Sequence, residues 1–353
     1  MKILILTSSD PDYGADYIYD GFRCLNAEVT EFPYKPSYHR TVQEEMNRTF
    51  DCEFSWTDHD IYRGKIATVP WEIVEAQLRD RYFDLIVVPT LRPPTEHWLQ
   101  RWAHSGLLPL NKDRIVYCDG EDDGFDSMPR FMLYAGGQQP AAYFKRELPI
   151  GDKSFARPLP FGYPRYRTYW LAKGEGRAAK RQNKAIYAAH IWGLDSLRSG
   201  GGPGTHMRRR LANHLLKKWG EHSDVDVLTT GAAATMEWKL PMRKYHDLNR
   251  TYAVAISPAG AGYHTNRHFE IMADGCCPVY EKPWVQWPNA PIDGVHCRYF
   301  SDELECADIV AELLADPEGT AAMALAAQTL FVDHHTTEAR AWQIWEAIYG
   351  SSR

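Results

Sequence analysis

Short, fully apolar runs punctuate the first part of the chain. The runs at residues 3–6, 85–88 and 115–118 consist mostly of branched or β-branched side chains, and polar residues or proline follow each one. The segment at residues 72–81 is predicted to be a helix. Strands without polar positions are typical of parallel sheets that are covered on both faces, so this pattern predicts an α/β unit.

A second alternation of strands and helices begins near residue 185. It predicts strands at residues 185–189, 225–228, 253–256 and 278–280. It predicts helices at residues 207–219, 245–249, 268–274, 305–315, 321–331 and 337–349, the last of them behind Thr336 as N-cap. The polar, basic and glycine-containing segment at residues 171–184 between the two series is predicted to be a linker.

The length of 353 residues is beyond the size at which one hydrophobic core usually divides. The sequence therefore predicts an N-terminal domain at residues 1–170, completed by a C-terminal helix at residues 337–353. The linker at residues 171–184 leads to a second domain at residues 185–336.

Composition restricts the classes of function. With 44% hydrophobic and 24% charged residues the chain is an ordinary globular protein, and a net charge of -6 argues against general binding to phosphate backbones. Seven cysteines without a Cys-x-x-Cys pair predict free thiols in a reducing compartment. The sequence shows neither a signal peptide at its start nor an apolar run of about 20 residues, so we expect a cytoplasmic protein without a membrane span.

The segment at residues 255–279 has the strongest chemical signal. A strand enters a loop with two glycines, and a helix then opens with polar side chains, carries a glutamate and closes at Gly275. Glycines let a backbone approach a ligand closely, a helix N-terminus favours phosphate, and a carboxylate can accept hydrogen bonds from ribose hydroxyls. The candidate donor-binding residues are Gly260, Gly262, His264, Thr265, Asn266, Arg267 and Glu270. The alternative is an ordinary strand–turn–helix with Glu270 in solvent.

A glycine-rich loop after the strand at residues 185–189 is a second candidate for binding a diphosphate. Arg198, Gly201 and Gly202 belong to this loop, and a helix with the basic run 208–210 follows it. The loop is not a Walker A motif, because no Gly-Lys-Ser/Thr follows. The alternatives are a surface loop and, for the basic run, a solvated helix face.

An acidic turn follows the strand at residues 115–118. A carboxylate crowded by other acids has a raised pKa and can act as a general base, so Asp122 and Asp119 are candidates for that role. Asp10, behind the first strand, is a further candidate. A solvated turn and a weak cation site are the alternatives, and residues 143–147 are expected to supply ion pairs to this turn. The His–Asp pairs at residues 58–60 and 246–247 lack a second ligand set nearby, so no metal site is predicted.

The segment at residues 255–279 resembles the donor-nucleotide motif of GT-B glycosyltransferases, in the family 1 group with spore-maturation-type and exostosin-like enzymes. The matching residues are Arg267, Phe269, Glu270, Gly275, Pro278 and Val279. Residues 334–337, ahead of Arg340 and Trp342, are similar to the terminal segment of that group. Many retaining members carry a second glutamate where this chain has Gly262, so a retaining mechanism is in doubt here, and His264 or Asn266 is expected to hold the sugar instead.

The resemblance implies two Rossmann-like domains that face a cleft, with a last helix that crosses back to the N-terminal domain. It also implies transfer of a sugar, of the hexosyl class, from a nucleoside diphosphate sugar (with UDP or GDP) to a hydroxyl acceptor, without a metal or another cofactor. The acceptor is a glycan, a small molecule or a modified base. A nucleotide- or sugar-binding protein without transfer and a nucleotide-sugar epimerase are the alternatives. A DNA-modifying glycosyltransferase is a variant of the first reading. A transferase should slowly hydrolyse its donor without acceptor, whereas a binding protein should not.

Overall fold

The computed structural model describes residues 1–7, 13–33, 69–164, 181–190, 204–219, 224–230 and 242–350. The chain divides into two compact units. Unit 1 comprises Met1–Pro164 and Thr336–Arg353, and unit 2 comprises Arg165–His335. Most of the predicted linker, and the candidates Asp10, Arg198, Gly201 and Gly202, lie outside the described residues.

Unit 1 contains a six-stranded sheet with the order β2-β1-β3-β4-β5-β6, and every strand pairs in parallel. Its strands are β1 (Lys2–Leu6), β2 (Glu28–Phe32), β3 (Leu85–Val88), β4 (Ile115–Asp119), β5 (Ala142–Lys145) and β6 (Arg157–Pro158). Its helices include α1 (Tyr13–Cys24), α2 (Trp71–Arg79), α3 (Pro93–His104), α4 (Leu107–Asn111) and α5 (Met128–Tyr134). A 3₁₀ turn at Lys112–Arg114 directly follows α4.

Both faces of this sheet are covered, as its apolar strands predict. Leu4 and Ile86 lie in a core on one face, whereas Ile3 and Leu85 lie in a second core on the other. Because successive side chains of a strand point to opposite faces, a strand such as β3 needs apolar residues at every position.

The helix α11 (Thr337–Tyr349) belongs to unit 1, although it follows all of unit 2 in sequence. Its side chains Ala341 and Ile344 share a core with Ile18 and Phe22 of α1. The hydroxyl of Thr337 donates to the buried carboxylate of Asp20 on α1. Thr336 caps the helix by accepting from the Ala339 N–H at 3.2 Å, which confirms the predicted N-cap.

Unit 2 contains a five-stranded parallel sheet with the order β11-β10-β9-β7-β8. Its strands are β7 (Gln182–His190), β8 (Val225–Thr230), β9 (Tyr252–Ser257), β10 (Cys277–Glu281) and β11 (Arg298–Phe300). Its helices include α6 (Gly204–Trp219), α7 (Met242–Thr251), α8 (Asn266–Ala273), α9 (Glu303–Ala315) and α10 (Pro317–His334). The predicted two Rossmann-like units are confirmed, and β7 begins at Gln182, inside the predicted linker.

The strand order locates the ligand edge of each unit. In both sheets the first strand lies between the second and the third, so the order reverses at β1/β3 and at β7/β9. Doubly wound sheets bind ligands at the carboxyl ends of the strands beside such a reversal. In unit 2 that point is the loop that follows β9, which is the segment with the strongest chemical signal in the sequence.

None of the helices in the described ranges has the length and apolar character needed to cross a membrane. Six cysteines fall within these ranges, and all six are free thiols.

Candidate functional site

The loop between β9 and α8 is tightly folded. The Gly260 N–H donates to the Gly262 carbonyl at 2.8 Å, and the neighbouring Ala259 is fully buried. Ala259 is held from two sides: its carbonyl accepts from Nε of Arg208 at 2.8 Å, and its N–H donates to Oε2 of Glu281 at 3.0 Å. A cation from α6 and a carboxylate from the end of β10 therefore fix this loop at one residue.

Arg208 approaches Gly260 closely. A Cβ atom on Gly260 would lie 2.9 Å from Nη2 of Arg208 and 2.9 Å from Cγ2 of Thr265. The predicted close approach at Gly260 is therefore made by a guanidinium group of the protein itself.

The predicted solvated helix face at residues 208–210 is wrong for its first residue. Arg208 is 9% exposed, and Tyr187 donates its hydroxyl to the Arg208 carbonyl at 2.8 Å. Arg210, by contrast, is exposed and pairs with Glu303 at 3.4 Å. The run of three basic residues alone does not show which one points inward.

Two positive charges lie together beside this loop. Burial and the nearby charge of Arg267 lower the pKa of Arg208 from 12.5 to about 10. Glu281 opposes this charge, while burial raises the pKa of its own carboxyl. Two guanidinium groups near one carboxylate leave a net positive site, which suits an anion.

The first turn of α8 presents polar groups at the same place. Thr265 is the N-cap residue, but its side chain makes no capping hydrogen bond. Buried atoms of Thr265 (Oγ1), Asn266 (Oδ1) and Arg267 (Nε and Nη1) have no hydrogen-bond partner in the described parts of the chain. The first N–H groups of a helix also lack partners within the helix, so this turn offers several donors to one anion.

Glu270 and His264 are both buried, with exposures of 7% and 1%. The alternative with Glu270 in solvent is therefore wrong. The helix ends as the sequence predicts: Gly275 has φ 72°, and its N–H donates to the Met272 carbonyl at 3.0 Å. With the Cys276 N–H on the Ile271 carbonyl at 3.2 Å, this end is a Schellman motif.

Aromatic side chains surround the start of α8 on its buried side. Trp287 lies 5.1 Å from the ring of His264, 5.8 Å from that of His268 and 5.7 Å from that of Phe269. Burial lowers the pKa of His268 to about 3, so its ring is neutral at physiological pH. Its Nε2 faces the Ser257 carbonyl at 3.3 Å, which assigns the proton to Nε2.

The acidic turn of unit 1 is held by cations. Asp119 and Lys145 are register partners at the ends of β4 and β5, and Lys145 Nζ lies 2.8 Å from Asp119 Oδ2. Asp119 also accepts from the hydroxyls of Ser127 and Tyr143. Its side chain is 0% exposed, so this geometry favours a structural role over that of a base.

Asp122 differs from Asp119 in being accessible. Its side chain is 59% exposed and pairs with the guanidinium of Arg146. The expected ion pairs from residues 143–147 are therefore present, and the acids of this turn are offset by cations instead of crowding one another. A pocket at the carboxyl ends of β3, β4 and β5 adjoins this turn, and its lining includes Gly14, Pro89, Asp119, Arg146 and Arg340.

The His–Asp pair at residues 246–247 does not form a metal site. His246 Nδ1 lies 2.6 Å from Asp274 Oδ2. Within the described ranges there is no group of three or more His, Cys, Asp or Glu side chains arranged to hold a metal ion. The pair at residues 58–60 lies outside these ranges.

Part of the chain matches a known protein family. A family model described as "Glycosyl transferase-like" matches residues 178–346, which include the loop and helix described above. No curated protein matches the sequence.

Solved structures resemble the chain over nearly its whole length. Alr3699/HepE from Anabaena in complex with UDP has a TM-score of 0.54 at 15% identity, and the match covers 99% of this chain and 100% of that chain. The same protein in complex with UDP-glucose gives 0.52 at 14% identity over 99% and 100%. A glycosyltransferase from Rickettsia africae ESF-5 gives 0.51 at 8% identity over 99% of both chains. At such identities the likeness shows the fold.

The chain has the fold of GT-B glycosyltransferases, and its segment at residues 178–346 is similar to the glycosyl transferase-like family.

Proposed function

We propose that the chain is a glycosyltransferase that transfers a sugar from a UDP-sugar to a hydroxyl acceptor, and that its diphosphate site is the loop between β9 and α8. The observation that carries the proposal is the pair Arg208 and Arg267, two positive charges at the N-terminus of α8 beside a loop closed by Gly260. The complexes of HepE with UDP and with UDP-glucose, on a similar fold, support uridine as the base.

A diphosphate matches the electrostatics of this site. Burial and like charge both disfavour the protonated form of Arg208 in the folded chain. An anion between the two guanidinium groups offsets this unfavourable term, and each charge-assisted hydrogen bond contributes about 1.5–3 kcal/mol. The N–H groups of the first turn of α8 add further donors.

The remaining donor contacts belong to the same proposal. Glu270 is assigned to the ribose hydroxyls. Thr265 and Asn266, whose side-chain oxygens have no partner in the described residues, are assigned to the donor as well. His264 lies two residues before the first residue of α8 and is assigned to the sugar, in place of the glutamate that Gly262 replaces. Arg198, Gly201 and Gly202, the other candidates for binding the diphosphate, lie outside the described residues.

In the reaction, the bond between the anomeric carbon and the β-phosphate oxygen breaks, and a bond to the acceptor oxygen forms. The charge that develops on the leaving UDP falls between Arg208 and Arg267, which stabilise it electrostatically. We assign the acceptor to unit 1, where Asp122 is an accessible carboxylate that would take the acceptor proton; Asp10 is the second candidate. Because two cations carry the leaving-group charge, we propose transfer without a metal ion.

Binding and hydrolysis of the donor test this proposal. UDP, GDP, CDP, ADP and TDP are compared by thermal shift and by calorimetric titration. UDP at a hundred times its Kd should stabilise the protein by about 2.7 kcal/mol. The variants Arg208→Met, Arg267→Ala and Glu270→Ala should lose this effect, whereas Arg210→Met, which changes an exposed arginine of the same helix, should keep it.

A second measurement separates transfer from binding. Wild-type protein with UDP-glucose and other UDP-sugars, without acceptor and with EDTA present, should release UDP slowly. Binding of GDP or ADP in preference to UDP would overturn the assignment of the base. UDP binding that survives in all three site variants would overturn the assignment of the site.

A further inference from the structure

Arg267 is held by an aromatic ring in place of a carboxylate. Its Cζ lies 5.7 Å from the centroid of the Tyr245 ring on α7. Within the described residues, its buried Nε and Nη1 have no hydrogen-bond partner. Tyr245 is 8% exposed, so this contact lies in a largely desolvated setting, where cation–π attraction is strongest.

We propose that Tyr245 is a positioning residue, whose ring aligns the guanidinium of Arg267 toward the diphosphate of the donor. This inference rests on the proposed function of the same site. A carboxylate partner would hold Arg267 as firmly, but it would neutralise its charge and occupy its N–H groups. A ring face attracts the cation while leaving both the charge and the in-plane donors for a phosphate.

A polar network fixes α7, and with it Tyr245, against α8. Asp274 is the C-cap residue of α8, the helix whose first turn carries Arg267. The Asp274 carboxylate lies 2.6 Å from Nδ1 of His246 and accepts from Nδ2 of Asn249 at 3.1 Å, both on α7. Asp274 is 1% exposed, so this junction between the two helices is buried.

Arg181 closes the same junction from the start of β7. Its guanidinium donates to the carbonyls of Asn249 at 2.8 Å and Asp274 at 2.7 Å. The two helices are thereby joined at the C-terminus of α8 by hydrogen bonds and at its N-terminus by the Tyr245 ring. His246 and Asn249, which follow Tyr245 in the chain, hold α7 in this network and thereby fix the position of the Tyr245 ring.

Four variants test the proposal: Tyr245→Leu, Tyr245→Phe, Arg267→Ala and the double variant Tyr245→Leu/Arg267→Ala. Calorimetric titration gives Kd for UDP and for uridine, which lacks the phosphates. Y245L should weaken UDP binding about 5- to 30-fold and leave uridine binding within about twofold. Y245F keeps the ring and should bind UDP like the wild type. In the R267A background, Y245L should cause no further loss of UDP affinity.

Tyr252→Leu is the matched control. It removes another buried tyrosine, which lies at the amino-terminal end of β9, whereas the loop to α8 follows the carboxyl end of that strand. Y252L should lower Tm without changing the ratio of UDP to uridine affinity. Equal losses for UDP and uridine in Y245L, or losses that add in the double variant, would overturn the positioning role.

A double-mutant cycle of the same variants, measured as Tm without nucleotide, tests the contact between Tyr245 and Arg267 independently of the proposed function. Y245L should lower Tm less in the R267A background than in the wild type, because the ring–guanidinium contact is already absent there. Independent effects on Tm would refute the contact, whatever nucleotide binds. Failure of wild-type protein to bind UDP would instead overturn the proposed function.

Discussion

Replacement of Arg208 by methionine separates the effect of this side chain on stability from its effect on donor binding. Burial and the charge of Arg267 lower the pKa of Arg208 from 12.5 to about 10. The side chain is charged at pH 7 in both the folded and the unfolded state, so this lowering corresponds to a destabilisation of the folded state of about 3 kcal/mol. Methionine has a similar length and removes this term.

The substitution also removes a favourable contact. The hydrogen bond from Arg208 Nε to the Ala259 carbonyl, 2.8 Å long, contributes about 1–2 kcal/mol. The net expectation is that Arg208→Met stabilises unit 2 by about 1–2 kcal/mol and raises its Tm by roughly 2–6 °C. The same variant loses charge-assisted hydrogen bonds to the diphosphate, so its affinity for UDP should fall about 10- to 100-fold.

Scanning calorimetry without nucleotide and titration with UDP measure the two effects. Arg210→Met is the control, because this exposed side chain pairs with Glu303 at 3.4 Å in solvent. It should change stability by less than about 0.5 kcal/mol and leave UDP affinity unchanged. An Arg208→Met protein that melts at a lower temperature than wild type and binds UDP as tightly would refute the reasoning.

Three further substitutions are informative. Gly21→Ala should lower Tm strongly, since its Cβ would lie 2.1 Å from the Thr337 carbonyl oxygen; an unchanged melting curve would contradict the close packing of α1 on α11. Asp119→Asn should destabilise unit 1 by about 3–5 kcal/mol, because Lys145, 2% exposed, would stay buried without its carboxylate, and denaturant unfolding measures this loss. Burial lowers the pKa of His268 to about 3 in the folded protein. Below about pH 6.5 this histidine binds a proton in the unfolded chain only, so the free energy of unfolding decreases as the pH is lowered, by about 2 kcal/mol at pH 5. Unfolding at pH 7 and pH 5 should show this loss in the wild type and less of it in His268→Gln; equal losses would place the titration elsewhere.

Most of the strands that the sequence predicts are buried on both faces, although the edge strand β8 is predicted as well and the buried strand β5 is not. β3 reads Leu-Ile-Val-Val and is fully buried, so its pattern needs no tertiary information. β2 lies at the edge of the sheet and reads Glu-Val-Thr-Glu-Phe. Its polar and apolar residues do not alternate clearly, so the sequence did not reveal it as a strand. The short strand β11 at the edge of the other sheet escaped prediction for the same reason.

At the candidate site, the local features were predictable and the convergent ones were not. The end of α8 at Gly275 follows from capping chemistry that lies within a few residues of sequence, whereas Thr265 makes no capping hydrogen bond at the start of the helix. The approach of Arg208 to Gly260 joins residues 52 positions apart, and nothing in the basic run 208–210 marked its first residue as buried. A signal was present in the helical spacing, since Arg208 falls between the buried Met207 and Leu211.

During synthesis on the ribosome, unit 1 cannot complete its core until its last helix, α11, has been made. Ile18 and Phe22 on α1 are covered by side chains of α11, and roughly 170 residues of unit 2 are made in between. At about 5–20 residues per second, the nascent unit 1 shows this apolar surface for about 10–35 s. Unit 2 is one continuous stretch and is complete before α11 exists. The second unit of the chain is therefore expected to be the first to reach its native state, with chaperones shielding α1 in the meantime.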